Sequence, residues 1–490
     1  MLGLDLGTTG CKAYAISYEG ELLAEVSRSY ELTFPGPGLV EQNPEDWWRA
    51  AVYCIKELSV GKGLEITSIS LSSQANTLVL MGSEGKALTT AISWLDQRSV
   101  REVDEMVNVF GDEELHSKTG MMPGAGFTAP KLLWIRKHRR DLLVKAKAIL
   151  FSPQSYVAYK LTGKYLVDRS LASFSMLYDI WSKKWFSEVL DFIGVDESLL
   201  PDLLYSCELA GYVKKEVSSK LGFKNEVPMV IGAHDQCCAA LGAGVIAPGP
   251  VVDSTGTASA IIYVTDTLPR KVPRELFVYH YVVRDKWTLL GTLSASGALV
   301  DWFLGLFTEF GTNVSHEALE EEARKIIAGS EGVFIIPYFS GSLRPGIPHY
   351  ARGSILGLTL SHGAPHIYRA IMEAIAFELK YYLEVIRSLN YPIRRAISVG
   401  GGAKSRLWKE IKANVFNLPV AKPRITNTAP LGACILAGIG AGVYRSLEEA
   451  AKLVRAEEEI GPDKGLVEVY DQLYKQYLIL SDKASRLLLA

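Results

Sequence analysis

Residues 3–16, GLDLGTTGCKAYAI, are the most informative stretch of the chain. The runs 2–5 and 12–18 are largely apolar and predict two strands, and the glycines and threonines of 7–10 predict a tight turn between them. Because glycine permits close turns, successive backbone N–H groups there can point at a single anion. This pattern predicts a phosphate-binding hairpin, with a plain surface hairpin as the alternative.

Four polar side chains strengthen the phosphate interpretation. The hydroxyls of Thr8 and Thr9 are additional donors, and Lys12 adds a positive charge. Asp5 ends the first strand, and magnesium, as a hard cation, prefers oxygen ligands such as its carboxylate. We therefore regard Asp5 as a candidate metal-binding residue.

The same order of features returns about half the chain later. Residues 251–264, VVDSTGTASAIIYV, again give a strand, an aspartate, a Gly-Thr turn and a second strand. Pro248-Gly249-Pro250 precedes them and predicts a domain boundary, with domains at 1–246 and 247–490. Two halves of like topology would face each other across a cleft, where ligands commonly bind. Gly256 and Thr257 would then supply donors from the second wall.

Two further segments carry candidate chemistry. Gly400-Gly401-Gly402-Ala403 lies between a predicted strand and a helix over 405–416, which places free backbone amides at a helix N-terminus and suits a nucleotide. Asp235 follows the buried strand 227–232, where it is either a general base or an N-cap. The small residues of 429–443 predict close helix packing rather than a dinucleotide fingerprint.

Composition excludes several classes of protein. The chain has 490 residues, 48% hydrophobic residues and a formal net charge of −2, which does not favour nucleic acid or an anionic membrane as partner. Its six cysteines lack C-x-x-C spacing, which argues against a zinc site and for a reducing compartment. No signal peptide and no run of about 20 apolar residues is visible, so a cytoplasmic location is expected. Walker A and protein-kinase motifs are missing from the sequence.

In order and over essentially the whole chain, these motifs resemble the FGGY family of carbohydrate kinases, within the actin/hexokinase/Hsp70-like superfamily. The matching segments are GLDLGTTGCKAYAI (3–16), GFTAPKLLWIRKH (126–138), GAHDQCCAALGAG (232–244), STGTAS (254–259), GSILGLTLSHGAPHIYRAIMEAIAF (353–377) and GGGAKSRLW (400–408).

The resemblance implies an α/β fold of two ribonuclease-H-like domains flanking a cleft, and transfer of the γ-phosphate of ATP to a sugar or polyol hydroxyl. It implies Asp235 as catalytic base, Mg²⁺ near Asp5 and a possible homodimer. It assigns substrate binding to Gln74, Ala75, Asn76, Trp94 and Gln236. It assigns nucleotide binding to Thr8, Thr9, Lys12, Gly256, Thr257, Gly297, Asp301, Gly401, Gly402, Ala403 and Arg406.

Within the family, the chain is most similar to xylulokinases, but its sugar segment departs from theirs. Where xylulokinases typically have Gly-Gln-Met-His-Gly, this chain has Ser73-Gln74-Ala75-Asn76-Thr77. Gln236 resembles glycerol kinases instead, although their Arg-Glu pair is missing. The substrate therefore stays open among ketoses, polyols such as glycerol or erythritol, and sugar acids such as gluconate. The alternative from another class is an actin- or Hsp70-like ATPase that moves a partner protein.

Overall fold

The structure is a computed structural model that describes residues 1–309, 311–312, 314–342, 344–348 and 350–487. The strands of the first half are β1 (Leu2–Leu6), β2 (Gly10–Ile16), β3 (Leu22–Ser29), β4 (Thr33–Gly36), β5 (Leu39–Gln42), β6 (Ile69–Ser73), β7 (Val79–Met81), β8 (Ala91–Ile92), β9 (Ala148–Leu150), β10 (Leu166–Asp168), β11 (Tyr178–Asp179), β12 (Lys184–Trp185), β13 (Asp202–Leu204), β14 (Leu209–Tyr212) and β15 (Pro228–His234). Those of the second half are β16 (Pro250–Thr255), β17 (Ser259–Thr265), β18 (Phe277–His280), β19 (Trp287–Leu293), β20 (Phe334–Ile336), β21 (Ser354–Leu356), β22 (Arg395–Val399), β23 (Val420–Pro423) and β24 (Ala456–Ile460).

The α-helices of the first half are α1 (Pro44–Lys56), α2 (Val100–Phe110), α3 (Asp112–Thr119), α4 (Thr128–His138), α5 (Arg140–Lys145), α6 (Pro153–Thr162), α7 (Arg169–Ser173), α8 (Ser187–Ile193), α9 (Lys215–Leu221) and α10 (Asp235–Gly242). Those of the second half are α11 (Gly297–Glu309), α12 (His316–Arg324), α13 (Ala364–Ser388), α14 (Arg406–Phe416), α15 (Thr428–Gly440), α16 (Leu447–Ala451) and α17 (Lys464–Leu487).

The first half is organised around a six-stranded mixed sheet with the order β14-β15-β6-β1-β2-β3. β1 and β2 form the antiparallel hairpin that the sequence predicts, and β3 extends it. On the other side, β6 pairs parallel with β1, and β15 pairs parallel with β6. Parallel pairing places the carboxyl ends of these three strands at one edge of the sheet.

The second half repeats this arrangement in a seven-stranded sheet, β18-β19-β17-β16-β22-β23-β24. β16 and β17 form the antiparallel hairpin, and β22 pairs parallel with β16. The predicted internal repeat is therefore confirmed, and so is the predicted fold of two α/β domains with mixed sheets.

Local signals in the sequence set the helix ends. Asn43 caps α1, because its side chain accepts a hydrogen bond from the Glu45 N–H, and Pro44 occupies the first helical position. Ser405 caps α14 in the same manner through the Trp408 N–H. Both starts agree with the helices predicted from sequence.

Helices α10 and α15 cross in direct backbone contact. A Cβ on Gly432 would lie 2.0 Å from the carbonyl oxygen of Cys238, and one on Gly242 would lie 2.0 Å from that of Thr428. A Cβ on Gly3 of β1 would lie 2.2 Å from the carbonyl oxygen of Pro430. The small residues of this segment therefore serve close packing, as predicted, and they join the second half of the chain to the first sheet.

None of the described helices is long and apolar enough to cross a membrane. All six cysteines are free thiols, and only Cys207 is not fully buried. The domain boundary at 246/247 stays a prediction; the loop after α10 passes through it and leads into β16.

Candidate active site

The carboxyl edge of the first sheet gathers the predicted catalytic and sugar-binding residues. Ser73 of β6 is paired with His234 of β15, and Leu6 of β1 is paired with Ser73. Gln74 and Asp235 follow these paired residues directly, so their side chains start from neighbouring points on one edge.

Asp235 is the first residue of α10 rather than its N-cap. Its side chain is 28% exposed, but its Oδ1 is buried and has no hydrogen-bond partner among the described residues. Nε2 of His234 lies 3.1 Å from this oxygen, but no hydrogen bond joins the two atoms. Burial raises the pKa of Asp235 to about 6, and hydrogen bonds from Gln236 oppose the rise.

Histidine 234 is neutral and firmly held. Burial lowers the pKa of His234 to about 3. Its ring stacks on Phe174 at 4.8 Å, and its Nδ1 lies 3.3 Å from the hydroxyl of Tyr279, a residue of the second sheet. The backbone N–H of His234 donates to Ser170 Oγ at 2.8 Å. The residue before Asp235 is therefore fixed in orientation by both halves of the chain.

Asp5 lies at the same edge, half-buried at the end of β1. Its Oδ1 accepts a hydrogen bond of 2.7 Å from Ser72 Oγ. Burial raises the pKa of Asp5 to about 6, and the charge of Asp235 adds to the rise. Lys12, exposed on β2, is the register partner of Asp5, and its positive charge lowers the pKa of Asp5, against the rise caused by burial. Two carboxylates this close to each other would gain from a cation between or beside them.

Hydrogen bonds connect the sugar segment to the first hairpin. Gln74 Nε2 donates to Gln42 Oε1 at 2.8 Å, and Gln42 Nε2 donates to the Thr8 carbonyl oxygen at 2.8 Å. Trp94 Nε1 donates to Thr8 Oγ1 at 3.1 Å. Gln74 Oε1, like Gln236 Oε1, is buried without a partner among the described residues, which makes both atoms candidate acceptors for a ligand hydroxyl.

Asn76 uses its side chain inside the protein. It has φ 55°, a left-handed conformation that asparagine tolerates. Its Nδ2 donates to the Phe174 carbonyl at 2.8 Å, and its Oδ1 accepts from the N–H and the hydroxyl of Thr128 at 3.1 and 2.9 Å. The buried Lys131 ammonium donates to the Asn76 carbonyl at 2.7 Å. Asn76 therefore shapes the loop, which also buries Ala75.

The second hairpin packs against the start of α11. The carbonyl oxygen of Thr257 accepts the N–H groups of Ser296 and Ala298 at 3.0 and 3.1 Å, and that of Gly256 accepts the N–H of Gly297 at 2.9 Å. A Cβ on Gly297 would lie 2.4 Å from the Gly256 oxygen. The side chain of Thr257 is exposed beyond this contact.

The Gly-rich turn, Gly400–Ala403, lies on the other side of the same hairpin. Most of this turn is part of a short 3₁₀-helix, Gly401–Lys404. Gly400 has φ 80°, and a Cβ on it would lie 2.5 Å from the Thr255 carbonyl oxygen. A Cβ on Gly402 would lie 2.5 Å from Thr255 Cγ2, whereas Gly401 has open space around it. The structure thus brings the second hairpin, Gly297 and the Gly-rich turn together as one surface.

Three predicted nucleotide residues make contacts within the protein. Asp301 is largely exposed on α11, with its carboxylate 3.4 Å from Nε2 of His316. Arg406 is exposed on α14 and pairs with Glu410 at 3.0 Å. Thr9 is exposed in the first turn, where its carbonyl oxygen accepts the N–H of Tyr30.

Sequence reasoning found Asp253 as part of the repeat but missed its partner, Lys412. Asp253 is the counterpart of Asp5 in the second hairpin, and Lys412 of α14 forms a buried ion pair with it at 2.6 Å. A usable signal was present, because Lys412 follows Ile411 and stands four residues after Trp408, within the apolar stripe of its helix.

Comparison with known proteins agrees with this geometry. Residues 1–242 match the N-terminal domain of the FGGY family of carbohydrate kinases, and residues 251–441 match its C-terminal domain. A xylulose kinase from Bacillus subtilis is 31% identical over 97% of this chain and 95% of its own length. A glycerol kinase from Thermococcus gammatolerans is 32% identical over 94% and 93%. The crystal structure of xylulose kinase from Rhodospirillum rubrum superposes with a TM-score of 0.91 at 28% identity, covering 99% of both chains.

The family matches over both halves of the chain and the relatives named above show that the protein is an ATP-dependent carbohydrate kinase. The chain belongs to the FGGY family of carbohydrate kinases. The predicted family, enzyme class and general reaction are confirmed. The assignment of individual site residues stays a prediction, which the geometry above specifies further.

Proposed function

We propose that the protein phosphorylates a ketose or polyol hydroxyl with Asp235 as general base. The observation that carries this assignment is the buried, unpartnered Oδ1 of Asp235, on a carboxyl group with a pKa near 6, at the strand edge beside Asp5. An ionised carboxylate there can accept the hydroxyl proton as the substrate oxygen attacks the γ-phosphorus. Positioning and charge stabilisation supply most of the rate in such transfers.

The nucleotide is assigned to the surface formed by Gly256, Thr257, Gly297 and the Gly-rich turn. Its phosphate groups would extend from there toward Thr8 and Thr9 on the opposite wall. This direction is supported by the backbone amides of the turns and by the exposed hydroxyls of Thr9 and Thr257, which are suited to phosphate oxygens.

Magnesium is assigned to Asp5. The described residues contain no group of three or more His, Cys, Asp or Glu that could hold a metal by themselves. That suits Mg²⁺, which usually takes one or two carboxylates and completes its shell with phosphate oxygens and water. When bound, the ion would neutralise charge on the transferred phosphoryl group.

The substrate class is inferred from the free acceptors. Gln74 Oε1, Gln236 Oε1 and Asp235 Oδ1 are three acceptors without partners among the described residues, so they favour a ligand that presents several hydroxyl donors. Relatives at similar identity are named for xylulose and for glycerol. The Asn76 side chain is buried and bonded to Phe174 and Thr128, so we expect selectivity that differs from that of xylulokinases.

A coupled assay of ADP release tests the proposal. D-xylulose, D-ribulose, L-ribulose, glycerol, erythritol and gluconate would each be supplied with MgATP, and D235N protein would serve as the blank. Sugar-dependent ADP release by wild type alone is expected. Equal release by wild type and D235N would exclude Asp235 as base, and the substrate with the highest kcat/KM would identify the acceptor. The predicted homodimer and cytoplasmic location stay predictions.

A further inference from the structure

The two hairpins hold their aspartates on the same backbone scaffold. Asp5 is the register partner of Ser72 on the parallel neighbour strand, and Asp253 is the partner of Ser398. In each case the serine hydroxyl donates to the carboxylate, at 2.7 Å in the first hairpin and 2.8 Å in the second. Up to this point the two halves are equivalent.

A lysine breaks the equivalence. Lys412 Nζ lies 2.6 Å from Asp253 Oδ2 and 2.8 Å from Thr255 Oγ1, and the side chains of Lys412 and Asp253 are both fully buried. Thr255 Oγ1 in turn donates to Asp253 Oδ1 at 2.9 Å. Asp5, by contrast, has no cation within ion-pair distance among the described residues, although Lys12 stands opposite it in register. The first carboxylate is left for a ligand, and the second is already neutralised.

Thr255 connects Lys412 to the proposed nucleotide surface. A Cβ on Gly400 would lie 2.5 Å from the Thr255 carbonyl oxygen, and a Cβ on Gly402 would lie 2.5 Å from Thr255 Cγ2. The residue therefore sets the spacing between the Gly-Thr turn of the second hairpin and the Gly-rich turn. Lys412 fixes Thr255, and it comes from α14, the helix that the Gly-rich turn leads into.

We infer that Lys412 is a positioning residue for the triphosphate. Its ammonium group occupies the place beside Asp253, in the second hairpin, where a second metal ion would otherwise be needed. The inference rests on the nucleotide site proposed above. An unpaired Asp253 carboxylate next to a triphosphate would repel it, and in a dry environment that repulsion is little screened. The Asp253–Lys412 pair removes the repulsion without recruiting an ion from solution, and Asp5 remains the carboxylate of the metal site.

Nucleotide binding tests the positioning role. Mg-ADP would be titrated calorimetrically into wild type, K412M and D253N/K412M, and the sugar KM would be measured for each. We expect K412M, which loses both the neutralising charge and the bond to Thr255, to bind ADP about tenfold more weakly or worse. D253N/K412M loses the bond to Thr255 without leaving an unpaired charge, so it should bind ADP about threefold more weakly or worse. The sugar KM should move less than about twofold in both variants. K412M should also melt at a lower temperature, because it leaves Asp253 charged and alone. D253N/K412M should regain most of the melting temperature, because it contains neither charge.

The double variant decides between positioning and mere stability. If D253N/K412M melts like wild type and binds ADP as tightly, Lys412 serves folding only and the inference is wrong. If wild type itself binds no ADP, the proposed nucleotide site is wrong, which is a separate outcome.

Metal stoichiometry gives an independent measurement. Mn²⁺ would be titrated in the presence of ADP and followed by electron paramagnetic resonance. Wild type and D253N/K412M should each bind one Mn²⁺ per chain, whereas D5N should lose that ion. Loss of Mn²⁺ from D253N/K412M, or two ions in wild type, would overturn the claim that Lys412 stands in for a metal ion.

Discussion

Asp5 and Asp253 occupy the same position in two copies of one hairpin, yet among the residues that the structure describes only Asp253 has a cation bonded to it, Lys412, at 2.6 Å. The fold is therefore symmetric in its backbone and asymmetric in its charge. On the proposed assignment, the first half holds the reacting carboxylates, and the second half holds a neutral surface for the nucleotide.

Replacement of Asp235 by asparagine should lower kcat by about 10²–10⁴-fold, because the amide cannot accept the hydroxyl proton. The substitution keeps the shape of the side chain, so the sugar KM should change far less. Steady-state kinetics with saturating MgATP give both values. D104N, which changes an exposed carboxylate on α2, is the matched control. Wild-type turnover by D235N would exclude Asp235 as base.

The pH dependence of kcat/KM should show an acidic limb near pH 6. The pKa of Asp235 is raised to about 6, and only the ionised form can act as a base. Activity should therefore fall about tenfold for each pH unit below that limb. An acidic limb near pH 4 would mean that burial does not raise the pKa of Asp235.

The same shift has a consequence for stability. The pKa of Asp235 is about 6 in the folded protein and 3.8 ordinarily, so its protonated carboxyl group stabilises the folded state fully below pH 3.8. This stabilisation is lost as the pH rises through about 6. D235N cannot ionise, so it should melt above wild type at pH 7.5, and the difference should vanish near pH 4. Calorimetry at the two pH values tests the sign.

Loss of the Thr257 hydroxyl should weaken nucleotide binding selectively. Its side chain is exposed at the tip of the second hairpin, where it can donate to a phosphate oxygen. T257V should raise the KM for ATP about tenfold or more and leave the sugar KM nearly unchanged. T257S, which keeps the hydroxyl, should behave like wild type. A change in the sugar KM alone would contradict the assignment of this turn to ATP.

Introducing the xylulokinase histidine at position 76 should not create a better xylulokinase. The Asn76 side chain is bonded to Phe174 and Thr128, and N76H would break these bonds without offering the ring to the cleft. We expect a lower melting temperature and no gain in kcat/KM for D-xylulose. A gain of tenfold or more would show that residue 76 reaches the sugar.

A methyl group at Gly432 should destabilise the protein. Its Cβ would lie 2.0 Å from the Cys238 carbonyl oxygen, a backbone atom that cannot move aside alone. G432A should lower the melting temperature by several degrees, because such overpacking costs about 1–3 kcal/mol. Gly305 of α11 has nothing within 4 Å of its Cβ position, so G305A is the matched control and should not destabilise. Equal melting of both variants would contradict the close packing of α10 and α15.

The sequence was sufficient for the hairpins, their repetition, the strand before Asp235 and the caps of α1 and α14, because each depends on local residues. It could not place Asn76, since the partners of its side chain, Phe174 and Thr128, are distant in the chain. It could not pair Lys412 with Asp253 for the same reason. What it missed are contacts between side chains on elements that meet only in the fold.

The crossing of α10 and α15 has a mechanical consequence. At Gly242 and Gly432 the two backbones touch without side chains between them. Neither helix can therefore move toward the other, and a side chain at either glycine would push the two helices apart. Asp235 begins α10 and Gly242 ends it, so the proposed base stands at one end of a helix whose other end is held against the second half of the chain.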